Sequence, residues 1–268
     1  MTLGPRGIYY SDTHRRTKMN VALNKAAQQS STYQTYVAAN AVDGNATADW
    51  TVETCSHTDP NDPVPYWVVD LGERMTLEGF NITYRQQQPL RMSGFRLIVS
   101  NTSLMVDGIS GTLCYEEARL NPPTIQYIDC FVIGQYVFYE DPTTAPGDLV
   151  PIIELCELEA FGCRNGSYGP DCNTSCVEGC QSGICYPDNG TCVYGCKPTW
   201  LGDKCDQVCM NGTWGALCNE TCFCDIDTCN VSTGMCQEDR CQPGWQGIHC
   251  NQRKQGISDI ILVTFLKV

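Results

Sequence analysis

The sequence predicts an all-β protein in which a jelly-roll β-sandwich is followed by two small, disulfide-rich repeats. Three observations lead to this fold class. Apolar and polar residues alternate along several short segments of the first 162 residues, which is the pattern of half-buried strands. No segment of that region keeps the apolar stripe of an amphipathic helix. Beyond it, sixteen cysteines lie between Cys163 and Cys250 with a recurring spacing.

The alternating segments place the predicted strands along the sandwich. Phe80, Ile82 and Tyr84 alternate with polar neighbours. Comparable strand patterns occupy residues 94–100, 134–139 and 155–161. Clusters of Gly, Pro, Asn and Asp separate these short strands, which is typical of an antiparallel sandwich or jelly roll. The region has the length of an ordinary single domain.

The uneven distribution of the 20 cysteines divides the chain and indicates its compartment. An even number of cysteines at this density is typical of an oxidising, extracellular environment. Only four precede residue 163, so the sandwich relies on an apolar core, whereas each repeat relies on disulfides worth roughly 2–4 kcal/mol apiece. We therefore expect a polar N-terminal extension (1–19), the sandwich (20–162), two repeats (163–206 and 207–251) and a tail that is cut short (252–268).

The cysteine-dense segment repeats itself. Between successive cysteines lie 8, 3, 3, 4, 6, 3 and 8 residues from Cys163, and 8, 3, 1, 4, 6, 4 and 8 residues from Cys209. Asn-Gly pairs and a Trp-x-Gly pattern at Trp200 and Trp245 recur in register. The repeats resemble the laminin-type EGF repeats of the multiple-EGF-like scavenger-receptor family, which implies spacers or adhesive surfaces. Zinc binding, the alternative for clustered cysteines, usually adds His ligands, and only His249 lies in the cluster.

Several motifs of the sandwich are also recognisable. They are residues 20–31 (NVALNKAAQQSS), 39–45 (ANAVDGN), 55–57 (CSH), 66–72 (YWVVDLG) and 155–158 (LCEL). In order and spacing they resemble the F-type lectin (fucolectin) family of discoidin-like jelly rolls. The resemblance implies eight strands, with a calcium ion and a sugar site at one end. It also implies two disulfides, Cys55–Cys156 and Cys114–Cys130.

Oxygen ligands for a structural Ca²⁺ are predicted around one tight turn. Asn40, Asp43 and Asn45 surround Gly44 there and offer carboxylate and carbonyl oxygens, which calcium prefers. The alternative is that Asp43-Gly44 is only a favourable turn. The resemblance adds three further ligands: Thr54, the carbonyl of Cys156 and the carboxylate of Glu157.

The implied sugar site consists of His57, Arg85 and Arg91, with Trp50 as an apolar wall. The family places an Asp two residues after the first Arg, and here that position is Gln87. Because a carboxylate acceptor preorganises a guanidinium, we expect Arg85 to be less well oriented and Arg91, beyond Pro89, to lie in a loop. The alternative is that the two arginines are solvated and His57 is a loop residue without a ligand.

Composition limits the function further. A net charge of −13 and a pI near 4.5 argue against nucleic acid and anionic membranes as partners. No hydrolase, metalloprotease or phosphate-binding motif is present, so we expect no enzyme. Nine N-x-[ST] patterns mark candidate glycan acceptors: Asn45, Asn81, Asn101, Asn165, Asn173, Asn189, Asn211, Asn219 and Asn230.

Two functions follow from these expectations. The first is a calcium-supported module that binds fucosylated or related glycans in recognition or adhesion, carried on the repeats as on a stalk. The second is a receptor ectodomain whose sandwich has lost sugar binding and contacts cell-surface or matrix proteins. Either is extracellular, secreted or part of a membrane receptor. The apolar run at residues 260–266 is too short to span a bilayer.

Overall fold

The fold is that of a computed structural model, which describes residues 19–49, 54–103, 110–225, 228–236 and 240–254. Regular structure in these residues is almost entirely β, with only short 3-10 turns between the strands. The prediction of an all-β fold is confirmed. No helix in the described part of the chain is long and apolar enough to span a membrane.

The sandwich contains six antiparallel strands in the order β1-β2-β5-β3-β4, and β6 also pairs with β2. Their bounds are β1 (Ala26–Gln29), β2 (Tyr66–Tyr84), β3 (Arg96–Ser100), β4 (Thr112–Glu116), β5 (Ile125–Glu140) and β6 (Leu155–Arg164). The resemblance implied eight strands. The described residues form fewer because β2 is long: its first half pairs with β1 and, beyond a register shift, its second half pairs with β6.

Alternation along β2 builds the core. Trp67, Val69 and Leu71 are fully buried, and their strand neighbours face outward. Burying each such side chain contributes roughly 1.5–3 kcal/mol. The indole N–H of Trp67 also donates to the carbonyl oxygen of Ala38 at 3.0 Å, which fixes the turn that precedes the candidate calcium loop. The core of the sandwich thereby orients the loops at its end.

All 20 cysteines are described, and none is free. The sandwich contains the two pairs that the resemblance implied, Cys55–Cys156 and Cys114–Cys130. Both repeats use one connectivity, which the sequence had left open: 163–172, 176–185, 180–192 and 196–205, then 209–218, 222–229, 224–236 and 241–250. The sulfurs of Cys222, Cys224 and Cys229 lie close together but are all in disulfides, so they are not zinc ligands.

The sheet of the sandwich extends past Cys163, the first cysteine of the dense segment. Strand β6 continues through Cys163 to Arg164, where it still pairs with β2. One compact unit extends to Ser175 and includes residues 186–189, and the second comprises residues 176–185 and those from Gly190 onward. The rise in cysteine density marks where disulfides begin, whereas the sheet ends later because backbone pairing does not depend on the cysteines.

Two-residue hairpins are the regular structure of the repeats. They are β7 (Ser167–Tyr168) with β8 (Thr174–Ser175), β9 (Trp200–Leu201) with β10 (Gln207–Val208), β11 (Thr213–Trp214) with β12 (Glu220–Thr221), and β13 (Trp245–Gln246) with β14 (Gln252–Arg253). Elements this short bury little apolar surface, so the disulfides supply the stabilisation.

Candidate functional site

The candidate sugar residues lie at one end of the sandwich and are brought together by backbone pairing. Arg85 directly follows β2, and its N–H donates to the carbonyl oxygen of Glu154 at 3.2 Å. Ser56, next to His57, donates its N–H to the carbonyl oxygen of Leu155 at 2.7 Å. The Cys55–Cys156 disulfide closes the same junction. The cluster is therefore formed where the segment after Cys55 meets the start of β6.

Glu154 is the common partner of the three predicted sugar-site side chains His57, Arg85 and Arg91. Its side chain is 0% exposed. One carboxylate oxygen lies 3.2 Å from Nε2 of His57 and accepts from the guanidinium of Arg85. The other accepts from Nη1 of Arg91 at 3.0 Å. We call His57, Arg85, Arg91 and Glu154 the Glu154 cluster.

Arg91 is held by a second carboxylate. Its Nε and Nη2 donate to the two oxygens of Asp148 at 2.7 and 2.8 Å, a bidentate pair. With the bond to Glu154, three of its five N–H groups are engaged, which leaves two to face a ligand. Both arginine side chains are 15% exposed, so their guanidinium groups reach the surface only at an edge.

Arg91 lies, as expected, in the loop between β2 and β3, where it belongs to the 3-10 turn Pro89–Met92 and is fixed by two carboxylates. The expectation that Arg85 is less well oriented is wrong. Arg85 is oriented despite the loss of the family's Asp, because Glu154 supplies the acceptor. The side chain of Gln87 instead donates to Asp49 at 3.0 Å. Neither arginine is a solvated strand end.

The imidazole of His57 lies between the carboxylate and two aromatic rings. Its Nδ1–H donates to the carbonyl oxygen of Thr58 at 2.5 Å, so Nε2 faces Glu154. The rings of Tyr33 and Tyr36 lie 4.9 and 6.1 Å from the imidazole, measured between centroids. Tyr33 is only partly buried and offers an apolar surface beside the cluster. Trp50, the predicted wall, is outside the described residues.

Ionisation in the cluster follows from these contacts. Burial alone would raise the pKa of Glu154, but His57, Arg91 and Arg85 together hold it below its ordinary value. Burial would lower the pKa of Arg91, whereas its bonds to Asp148 and Glu154 raise it. Glu154 and Arg91 are therefore held in their charged forms, and the cluster presents fixed N–H donors to anything bound above it.

The predicted calcium ligands are linked by a series of short contacts. The N–H of Gly44 lies 3.3 Å from both carboxylate oxygens of Glu157, across 113 positions of sequence. Asn40 donates to the carbonyl oxygen of Cys55 at 3.1 Å, and Thr54 donates to the carbonyl oxygen of Thr47 at 2.7 Å. Asp43 accepts from the N–H of Asn45 at 2.8 Å. The structure thus collects all six predicted residues in one region, with Cys156 joined through its disulfide.

Glu157 is the residue that fits a cation most clearly. It is 1% exposed and has no cationic partner among the described residues. Burial, then Asp43 and Glu159, raise its pKa to about 8, although the Gly44 N–H opposes the shift. A buried carboxylate whose pKa is raised by a second carboxylate, beside backbone oxygens, is suited to a hard divalent cation. The donor set therefore fits calcium.

Known proteins share this architecture. Residues 26–129 match the F5/8 type C domain model. Fucolectin-5 of Anguilla japonica is 31% identical over 166 residues, which cover 59% of this chain and 82% of the relative. The chain belongs to the fucolectin family. The f-lectin (fucolectin) from striped bass (Morone saxatilis) serum is 31% identical, covers 55% of this chain and 50% of its own, and superposes with a TM-score of 0.49.

The disulfide-rich region has relatives of a different kind. Human stabilin-1 is 36% identical over 147 residues, which cover 49% of this chain. The chain spans only 5% of the length of stabilin-1. The predicted combination of a fucolectin domain with EGF-like repeats is confirmed.

Sequence reasoning missed Glu154 and Asp148. Neither belongs to a spaced motif, and Asp148 lies in a loop with no pattern. Glu154 did carry one signal: it is a charged residue within the otherwise apolar segment 150–155. A carboxylate in such a segment is buried and needs partners, which the two arginines and His57 provide.

Proposed function

We propose that the sandwich is a carbohydrate-binding module that recognises fucose-type glycans at the Glu154 cluster. The observation that supports this most is the convergence of His57, Arg85 and Arg91 on one buried carboxylate. Fixed N–H donors of this kind suit the hydroxyl and ring oxygens of a sugar, because their orientation is set before binding. Family membership supports the same ligand class, since the named relatives are fucolectins.

The chemistry of the cluster favours a neutral ligand. Glu154 and Asp148 pair with the two guanidinium groups, so the arginines carry no unpaired charge that would attract a sulfate or carboxylate. The partly exposed ring of Tyr33 offers a surface for the C–H face of a sugar, the role predicted for Trp50. The bound sugar would contact the two remaining N–H groups of Arg91 and this ring.

A structural calcium ion completes the proposal. Asp43 and Glu157 would hold it with oxygens from Asn40, Asn45, Thr54 and the carbonyl of Cys156. The ion would neutralise the two carboxylates and join the turn at Gly44 to β6, close to the junction that carries His57. Its contribution is to fix these loops, and affinity in the range Kd ~10⁻⁴–10⁻³ M is typical of extracellular calcium modules.

The repeats would act as an extracellular stalk or adhesive surface in recognition at the cell exterior. Ten disulfides and the long receptors among the relatives support an extracellular location. Catalysis is not part of the proposal, because the relatives are lectins and receptors.

One observation favours a second function. His57 is only 4% exposed, and the cluster satisfies most of its own hydrogen bonds. The same arrangement would serve as an internal brace in a sandwich that binds proteins. A binding experiment is therefore needed to decide whether a sugar reaches the Glu154 cluster.

A glycan array separates the two functions. The full chain should bind fucosylated glycans in millimolar calcium and lose most of that signal in chelator. Arg85→Ala should lose binding, whereas Arg164→Ala should not, because that exposed arginine lies at the opposite end of β6, about 30 Å away at ~3.3 Å per residue. A wild-type chain that binds calcium but no glycan would contradict the sugar-binding function.

A further inference from the structure

A second group of polar side chains lies away from the Glu154 cluster, on the outer face of the sheet. Tyr66, Val68 and Asp70 alternate with the core residues of β2 and therefore point outward. Gln28 pairs with Val68 across β1 and β2, and Tyr136 pairs with Asp70 across β2 and β5. These five residues line a depression of about 210 Å³, which we call the sheet-face trough.

The polar side chains of the trough make few hydrogen bonds to other described residues. Asp70 accepts with one oxygen from the N–H of Gly72 and from the Gln135 amide, both at 2.8 Å. Its other oxygen has no partner in the described ranges. The Gln135 amide also donates to the Tyr136 hydroxyl at 3.2 Å, which leaves the phenol proton available.

Gln28 and Tyr66 add further unused groups. Within the part of the chain that the structure describes, their side chains make no hydrogen bond. The trough therefore offers two phenol O–H donors, an amide with both donor and acceptor atoms, and a carboxylate acceptor around an apolar floor at Val68. Gln28 is exposed at the rim, and Tyr66, Val68, Asp70 and Tyr136 are partly buried. A few polar groups that converge around an apolar floor are typical of ligand sites.

The charge of the trough selects the ligand class. Asp70 is the single charged residue among the described residues that line it, so phosphate, sulfate and carboxylate ligands would meet a like charge. A sugar ring offers hydroxyl groups for both donors and acceptors and a C–H face for tyrosine and valine. We propose that the sheet-face trough is a second binding site, for one neutral sugar residue.

Two sugar sites on one module would raise the avidity of the protein for glycan-covered surfaces. Sites on the loop end and on the sheet face can be occupied together on a dense glycan surface. Linked binding of this kind raises avidity without a new contact in either site. The proposal does not depend on sugar binding at the Glu154 cluster, because no residue is shared.

Chemical-shift mapping of the ¹⁵N-labelled full chain tests the proposal. The probes are the methyl glycosides of fucose, galactose, mannose and N-acetylglucosamine, at concentrations up to tens of millimolar. At least one should shift the amides of Val68, Asp70 and Tyr136. The same shifts should persist in Arg85→Ala, and in the milder Arg85→Lys if the first variant does not fold.

Tyrosine-to-phenylalanine variants test whether the phenol groups of the trough bind the sugar. The double variant Tyr66→Phe/Tyr136→Phe keeps the rings, removes two neutral hydrogen bonds, and should weaken these shifts by roughly tenfold or more. Tyr194→Phe, an exposed tyrosine of the first repeat, should change nothing. The proposal fails if none of the four sugars shifts these amides, if the double variant binds as wild type does, or if a sulfated disaccharide binds the trough more tightly than any neutral sugar.

Discussion

Replacing Glu154 by Gln tests the role of the buried carboxylate. The substitution keeps the shape of the side chain but removes the charge that faces Arg85, Arg91 and His57. A glutamine would retain one acceptor oxygen and turn an N–H₂ group towards guanidinium donors. Removing one partner of a buried ion pair costs about 3–5 kcal/mol, because the remaining charges stay buried without compensation.

That cost should be visible in thermal unfolding. In a domain of this size, 1 kcal/mol shifts Tm by roughly 2–4 °C, so the transition of the sandwich should fall by about 6–20 °C. Circular dichroism of the full chain, in the same buffer with calcium, measures this shift. Glu116→Gln is the control, since that carboxylate is exposed and its replacement should leave Tm within about 1–2 °C of wild type. An unchanged Tm in Glu154→Gln would refute the argument that the carboxylate organises the cluster.

Three further predictions follow from the structure. Calcium at about 1 mM should stabilise the sandwich by about 0.4–1.4 kcal/mol in calorimetry if Kd is ~10⁻⁴–10⁻³ M, and Asp43→Asn should abolish that gain. Equal melting of wild type in calcium and in chelator would exclude the site. Arg91→Ala should weaken fucose binding in calorimetric titration at least as much as Arg85→Ala, because Arg91 is fixed by both Asp148 and Glu154. Gln87→Asp should not strengthen binding, since the side chain at position 87 contacts Asp49. A Gln87→Asp variant that binds fucose more tightly would support the expectation that Arg85 needs a carboxylate at position 87. Burial raises the pKa of Asp141 from 3.8 to about 7, so this residue disfavours the folded state increasingly as pH rises from about 4 to 7. Asp141→Asn should therefore be more stable than wild type by about 4 kcal/mol at pH 8 and about 2 kcal/mol at pH 5. A difference in melting that does not change with pH would contradict the raised pKa.

Alternation was a sufficient guide to the long strands of the sandwich. Phe80, Ile82 and Tyr84 lie in β2, and the pattern at 155–161 falls within β6. Strand β1 was not predicted, because Ala26–Gln29 has no alternation and depends on pairing with the first half of β2. Such a strand is specified by its neighbour and not by its own sequence.

The sequence predicted the basic residues of the candidate site but not its carboxylates. Motif spacing identified His57, Arg85 and Arg91, since the family carries those residues. It could not identify Glu154 or Asp148, because their roles arise from contacts across 57 to 97 positions of sequence, for which local pattern carries no information. The same limitation led to the wrong inference that the missing Asp at position 87 leaves Arg85 without a carboxylate.

Calorimetric titration of the full chain with methyl α-L-fucoside in millimolar calcium tests the central claim most directly. The wild-type chain should bind with a Kd of roughly millimolar or lower, equivalent to about −4 kcal/mol or more favourable. Arg85→Ala should bind at least tenfold more weakly, and Arg164→Ala should match wild type. No binding by a folded, calcium-loaded wild-type chain, or equal binding by wild type and Arg85→Ala, would contradict the assignment of the Glu154 cluster as a sugar site.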